Sequence, residues 1–192
     1  VSRHSCTTIL SLCDFTGNWA RPYIEAGYDV KLYDLKTGHD VRLLEHPGRV
    51  HGILAAPPCT VFANSGARWP RSEADMREGL SIVDACLRLV TVCRPTWWAL
   101  ENPVGKLSRY LGPPVFKFNP CDYGDPYTKR TCLWGSFVPP VGMLTTKRPV
   151  EPVRVNSQGS WIQSLGGKSE RTKELRSATP AGFAEAFFEA NP

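Results

Sequence analysis

The stretch Gly52-Ile-Leu-Ala-Ala-Pro-Pro-Cys-Thr-Val-Phe62 constrains this chain more than any other. An apolar, strand-like segment (Ile53, Leu54, Ala55) runs into two consecutive prolines and then a cysteine. Proline fixes its own φ and drives the residue before it toward extended backbone. Cys59 is therefore predicted to sit on a stiff loop at a strand's end, the edge where open α/β sheets gather ligands and chemistry. A cysteine by itself is more often a small buried hydrophobe than a reactive group. The case for Cys59 as a nucleophile rests on what surrounds it in the chain.

Thr7 to Leu12 reads as a short buried strand, Cys13 to Asn18 as a turn, and Trp19 to Ala26 as a helix stopped by Gly27. Tyr28 to Asp34 is a second strand that ends in an acid. Such a β–turn–α–β–acid unit is the nucleotide-binding half of a doubly wound fold, in which that acid receives ribose hydroxyls. Asp34 lies 17 residues beyond Gly17, near the interval of about 20 such units use. Lys36 to Val41 is a loop with a second acid, Asp40.

Beyond Cys59, Ala63 to Arg71 carries Arg68, Trp69 and Arg71, a composition suited equally to nucleic-acid contact and to an ordinary solvated loop. Ser72-Glu-Ala-Asp75 forms a capping-box pattern. Met76, Leu80, Val83, Leu87 and Val90 then recur at helical spacing through Val92, with Cys86 in the core. Pro95 to Pro103 reads as a strand ending in Glu101-Asn102-Pro103. Its acid is predicted on the same sheet edge as Cys59, or else caps a short helix from Val104 to Leu111. Val115 to Asn119 is a further strand, and Cys121 to Gly135 a hairpin arm bearing Lys129-Arg130. Ser136 to Arg176 is rich in Pro, Gly and Ser and reads as irregular. Thr179-Pro180 opens a last helix that can dock Phe183, Ala186, Phe187 and Ala190 on the sheet.

A chain of 192 residues is most simply one domain, 1–192, large enough to bury a core. No apolar run approaches the roughly 20 residues that span a bilayer, and the first residues do not read as a secretory signal. The seven cysteines lack a C-x-x-C spacing and the four histidines do not cluster with them. Neither a metal site nor a disulfide framework is expected, and a reducing cytosolic setting is. The net charge of +5 permits a polyanionic partner without demanding one.

Taken in order, these signals resemble the cytosine-C5 DNA methyltransferase family over most of residues 8–135 and, more weakly, 176–192. Ser11-Leu-Cys-Asp-Phe-Thr-Gly17 is similar to the family's cofactor loop, usually Asp-Leu-Phe-x-Gly-x-Gly. Pro57-Pro58-Cys59-x-x-Phe62 resembles its Pro-Pro-Cys-Gln-x-Phe loop and Glu101-Asn102-Pro103 its Glu-Asn-Val motif. Thr128-Lys129-Arg130 resembles the segment carrying Gln-x-Arg-x-Arg, and Arg176-Ser-Ala-Thr-Pro180 the Arg-x-Leu-Thr-Pro segment. Ser11, Cys13, Phe15 and Thr60 depart from those patterns. Only about 40 residues separate Gly135 from Arg176, where the family houses its target-recognition domain. The resemblance is thus to a pared-down member, of the kind phage genomes carry.

The resemblance implies a Rossmann-like S-adenosylmethionine-dependent methyltransferase sheet with helices on both faces, and residues 136–175 as an irregular insert. It implies Cys59, Glu101 and Arg130 as catalytic residues. Phe15, Thr16, Gly17, Asn18, Asp34, Asp40 and Pro57 would hold S-adenosylmethionine, Asp34 gripping the ribose and Asp40 meeting the adenine amino group. Pro58, Phe62, Arg68, Arg71, Asn102 and Lys129 would meet duplex DNA with a flipped cytosine. A monomer, without metal and in the cytoplasm of a bacterial or phage-infected cell, completes the expectation. The chemistry suits the residues: a thiolate added at C6 makes C5 enamine-like, and a carboxyl group at N3 offsets the charge that develops. Three alternatives stay open: an RNA cytosine as target, a modified sulfonium donor, or a DNA-binding relative without activity. Methylation of an exocyclic amino group is disfavoured, since that chemistry leans on an Asp/Asn-Pro-Pro-Tyr/Phe loop and this one reads Ala-Pro-Pro-Cys.

Overall fold

Alternation of apolar side chains along short strands decides how this chain layers. In the computed structural model, which describes residues 7–64, 70–155, 159–165 and 169–192, six strands form one sheet. They are β1 (Thr8–Leu12), β2 (Asp29–Tyr33), β3 (Gly52–Ala55), β4 (Trp97–Pro103), β5 (Phe116–Phe118) and β6 (Thr131–Ser136). The order across the sheet is β2-β1-β3-β4-β6-β5. The first four strands are mutually parallel, while β6 runs antiparallel to both β4 and β5. Parallel strands covered on both faces are apolar throughout, and all four residues of β3 are buried.

The helices are α1 (Arg21–Glu25), α2 (Glu73–Cys93), α3 (Ser108–Leu111), α4 (Trp161–Ser164), α5 (Glu170–Ser177) and α6 (Ala181–Ala190). Leu10, Leu12, Ile53, Ala55 and Leu100 pack against Val83, Cys86, Leu89 and Cys93 of α2. Ile9, Leu54, Trp97, Ala99 and Leu133 face the other way, onto Trp19, Tyr23, Phe183, Ala186 and Phe187 from α1, its approach and α6. The sheet is therefore covered by helices on both faces, as the sequence predicts. The start of α2 is also as predicted: Ser72 Oγ accepts from Asp75 N, and Ser72 N donates to Asp75 Oδ2. Gly52 opens β3 because a Cβ there would lie 2.2 Å from the Trp97 ring.

Two expectations change. The helix predicted from Val104 to Leu111 begins only at Ser108, because Val104 N is bound to Arg130 O (3.2 Å) and Lys106 N to Phe62 O (2.8 Å). The segment predicted to be irregular up to Arg176 contains α5. That helix has no buried residue, so no apolar period announces it. Ser169 Oγ caps it by accepting from Thr172 N at 3.2 Å. Lys36 reaches across to Glu170 (3.2 Å) and Glu174 (3.0 Å).

Phe183 is the centre of the aromatic face. It stacks on Phe118 with ring centroids 3.6 Å apart and meets Tyr123 at 5.3 Å and Phe187 at 5.9 Å. Phe183→Ala is predicted to cost about 3–5 kcal/mol in urea unfolding; a loss below about 1 kcal/mol would mean that α6 is not part of the core.

Candidate active site

Register fixes which loops meet. Leu12 pairs with both Tyr33 and Ala55, and Ala55 pairs with Leu100, so three parallel strands end level. Glu101 is the first residue of β4 past that line. β4 itself runs on against β6, with Glu101 opposite Leu133 and Asn102 opposite Cys132.

The Pro-Pro-Cys loop is held from several sides. Ala56 N donates to Leu12 O at 2.9 Å, and Asn102 Nδ2 donates to Pro57 O at 3.0 Å. Phe62 N and Ala63 N both donate to Cys59 O (3.0 and 2.9 Å), closing a helical turn on the cysteine. Ala63 bridges Gly105, whose hydrogen is all that fits, since a Cβ would stand 2.0 Å from Phe62 O. One Arg71 guanidinium nitrogen donates to Thr60 O at 2.9 Å.

Cys59 is half-buried at the start of that turn. Burial pushes its thiol pKa up, and among charges the nearby Glu101 pushes it furthest in the same direction; Lys129 and Arg176 pull it back. Glu101 is buried at 5% exposure, and its Oε1 has no hydrogen-bond partner among the described residues. Its carboxyl is held above the usual range by burial, against the pull of Lys129 and with a push from Asp14. Tyr127 is raised too, by burial and then by Asp125 and Glu101. Cys59 and Glu101, from separate strand ends, thus share one electrostatic site. A thiol and a carboxyl group that compete for ionisation can trade one proton.

The loop after β1 turns through two left-handed residues, Cys13 (φ 59°) and Gly17 (φ 65°). Between them Asp14 is buried and accepts from Ser11 Oγ (3.1 Å) and Thr16 Oγ1 (3.0 Å); burial still raises its carboxyl pKa. Phe15 is exposed, with Lys36 Nζ 4.6 Å from its ring centroid. Asp34, at the end of β2, accepts from Lys36 N through Oδ1 at 2.8 Å. A cleft of about 210 Å³ runs between this loop and α5, lined by Thr16, Asn18, Arg171, Glu174, Leu175 and Ala178.

Other residues expected at the site are engaged within the protein. Phe62 and Asn102 are fully buried, and Asn102 holds the loop through Pro57 O. Pro57 is buried too, with its carbonyl taken by Asn102. Arg71 uses one guanidinium nitrogen on Thr60 O. Both Asp40 oxygens are engaged by Arg42, at 2.6 to 3.0 Å, and Arg42 also reaches Glu78. Arg130 is exposed, and Lys129 is the cation felt by Cys59 and Glu101. Pro58 is exposed, and Arg68 lies outside the described residues. Sequence reading missed Asp14, Tyr127 and the charge of Arg176 at this site. For Asp14 there was a signal: a polar acid directly after a buried strand, three residues before a turn glycine. Among the described residues no group of three or more His, Cys, Asp or Glu could hold a metal ion. No helix among them is long and apolar enough to cross a membrane.

No family profile and no curated protein matches the chain. Among solved structures it is similar to an E. coli protein provisionally assigned as a DNA modification methyltransferase encoded within a prophage. The TM-score is 0.51 at 16% identity, over 85% of this chain and 56% of that one. That likeness shows the fold. The chain has a Rossmann-like α/β sheet like that protein's, and it spans just over half that protein's length.

Glu101 gives this site a stability signature. Its carboxyl is raised in the folded state above its ordinary value of 4.5, so the fold binds this proton more tightly than the unfolded chain does. Stability is then greatest below the unfolded pKa and falls as pH rises to the folded one, staying reduced above it. Glu101→Gln is predicted to raise the urea midpoint at pH 8, with the gain shrinking toward pH 4. An equal or lower midpoint at pH 8 would contradict the carboxylate's being an unfavourable buried charge.

Proposed function

We propose that this chain is an S-adenosylmethionine-dependent DNA methyltransferase acting on C5 of cytosine. The observation that carries the proposal is the buried, unpartnered Glu101 Oε1 beside Cys59. A buried polar atom without a partner is costly, and a ligand that hydrogen-bonds to it removes that cost. Cytosine offers its N3–N4 edge to such a carboxyl group. The prophage protein of the same fold, whose printed assignment is DNA modification, adds support for DNA as the substrate class.

In the proposed reaction Cys59 gives up its proton and the thiolate adds to C6, forming the S–C6 bond. The C5–C6 π pair shifts through the ring to N3, which takes a proton from Glu101. C5 is left enamine-like. S-Adenosylmethionine, when bound, supplies an electrophilic methyl group for that carbon. The C5 proton then leaves to solvent, its C–H pair restores the C5–C6 double bond, the S–C6 pair departs with Cys59, and N3 returns its proton to Glu101. Glu101 stabilises charge that exists only as sulfur attacks, so it lowers the barrier more than it tightens ground-state binding. Cytosine must leave the duplex to reach this edge, at a cost of a few kcal/mol.

The residues after β1 and β2 suit an adenosyl group. Asp34 commits Oδ1 to Lys36 N and retains Oδ2 for a ribose hydroxyl. Phe15 presents an exposed ring, and Thr16 and Asn18 line the cleft. Asp40, bound by Arg42 through both oxygens, keeps only its remaining lone pairs for an adenine amino group.

Nucleoside mass spectrometry of DNA incubated with protein and S-adenosylmethionine tests the proposal. The expected product is 5-methyl-2′-deoxycytidine, absent with Cys59→Ala although that variant still binds the cofactor by calorimetry. Methyl on an exocyclic nitrogen, modification of RNA alone, or full transfer by Cys59→Ala would overturn it.

A further inference from the structure

The face that α5 turns toward the body of the protein is charged, and it borders a cavity instead of packing. Arg171, Glu174 and Leu175 stand at i, i+3 and i+4, on one side of the helix. With Ala178 at the C-cap they form one wall of the cleft of about 210 Å³ whose other wall is Thr16 and Asn18. In a helix that covers a core this stripe is apolar. Here it carries a cation and an anion, Leu175 is still 44% exposed, and α5 has no buried residue. What holds the helix is polar and lies at the margins of the cleft. Lys36 Nζ reaches Glu170 (3.2 Å) and Glu174 (3.0 Å), and Lys129 Nζ donates to Ala178 O at 3.3 Å. Exposed ion pairs of this kind contribute little by themselves.

Hydrogen-bonding groups without protein partners converge on the cleft. Arg171 makes no hydrogen bond or ion pair among the described residues. Glu174 lies one turn away on the same face, yet it pairs with Lys36 through Oε1 and keeps Oε2. On the opposite wall Thr16 Oγ1 is engaged with Asp14 Oδ1 (3.0 Å) and Asn18 N (3.3 Å), while the Asn18 side-chain amide has no partner among the described residues. A ligand for these walls must offer an anion to Arg171, a cationic donor to Glu174, and a short apolar stretch to Leu175 and Ala178. An anion of one sign, such as phosphate, would meet Glu174 as a repelling neighbour. An α-amino acid group carries both charges. The cavity is smaller than the roughly 300–1,000 Å³ that enclose a whole drug-sized ligand, so it suits one end of a larger molecule.

Resting on the reading of the chain as an S-adenosylmethionine-dependent enzyme, we propose that the cleft face of α5 holds the amino-acid end of the sulfonium donor, with Arg171 receiving its carboxylate and Glu174 its ammonium group. The planar guanidinium fork matches both oxygens of a carboxylate, a strong charge-assisted contact. Glu174 Oε2 is the acceptor left for the ammonium. Leu175 and Ala178 cover the methylenes between the charged end and the sulfur. The adenosyl end is left to Asp34 and Phe15, and Lys36 joins the two parts, since its Nζ touches α5 and lies 4.6 Å from the Phe15 ring centroid. In this arrangement α5 selects a donor with both charged groups over a nucleoside that lacks them.

Calorimetry with two probes tests the assignment. S-Adenosylhomocysteine carries the amino-acid end; 5′-methylthioadenosine has the same adenosyl thioether without it. The unmodified protein is expected to prefer S-adenosylhomocysteine by about tenfold or more. Arg171→Gln and Glu174→Gln are each expected to weaken S-adenosylhomocysteine by about tenfold and to leave 5′-methylthioadenosine unchanged, which also shows that the variants are folded. Lys36→Met removes the ion pair but keeps Glu174, and Lys173→Gln alters an α5 cation that pairs with Glu170 outside the cleft; both are expected to retain the preference. Equal affinities of the two probes for the unmodified protein would overturn the proposal. So would equal weakening of both probes by Arg171→Gln, or a preference lost in Lys173→Gln or Lys36→Met as it is in the cleft variants. If neither probe binds, the donor reading fails and this assignment with it. If both bind and the cleft variants do not separate them, only the assignment of Arg171 and Glu174 fails.

Discussion

The hydrogen bond from Asn102 Nδ2 to the Pro57 carbonyl, 3.0 Å long, joins the two halves of the candidate site. It ties the residue after the acid to the residue two before the thiol. It can form because β3 and β4 are parallel neighbours with Ala55 opposite Leu100, so the chain leaving β3 passes Asn102 where β4 runs on against β6. The Ala63–Gly105 bridge and the Lys106 N to Phe62 O bond close the same seam further out. A thiol held this way has few conformations to lose, which is the benefit the proposed nucleophile would draw from preorganisation. The two prolines act in the same direction, by limiting the loop before any contact forms.

The same seam carries a cost. Glu101 Oε1 and Asn102 Oδ1 are both buried without partners, and each such group is unfavourable by roughly 1–3 kcal/mol. The two aromatic-rich and aliphatic cores on either side of the sheet absorb that cost. Functional sites commonly trade stability in this way. The stretch around α5 shows a related economy: Lys36 ties the helix to the turn after β2, while Arg176 near its far end favours the thiolate of Cys59. One polar helix thus touches both the cleft beside Thr16 and the thiol's field.

The layers of the fold were legible because burial imposes period. The inner strands β1, β3 and β4 read as short apolar runs, α2 read from its stripe and its Ser72–Asp75 cap, and α6 from its paired phenylalanines. Cys59 and Glu101 were expected at one sheet edge because parallel strands share an edge; Glu101 lies inside β4, one residue past the level at which β3 ends, and Cys59 on the loop that follows β3. What was not legible depended on side-chain direction or on purely polar contacts. Lys129 and Arg130 differ by one residue, and only the pairing of β6 with β4 decides which faces in. Phe62 reads as a motif aromatic, yet it is the floor of the loop. Asp40 reads as an acid for a ligand, and nothing in the sequence shows that Arg42, two residues on, engages both its oxygens. The helix α5 is built from a cap and ion pairs, which leave no apolar signature in the sequence.

The central claim is that the sulfur of Cys59 bonds to C6 of a cytosine whose N3 edge lies on Glu101. The most direct measurement is covalent trapping on duplex DNA carrying 5-fluorocytosine, in the presence of S-adenosylmethionine, with the attachment site mapped by peptide mass spectrometry. Fluorine at C5 cannot leave as a proton does, so a denaturation-resistant adduct at Cys59 is the predicted result. An active protein that yields no adduct, or one joined through another cysteine, would contradict the account.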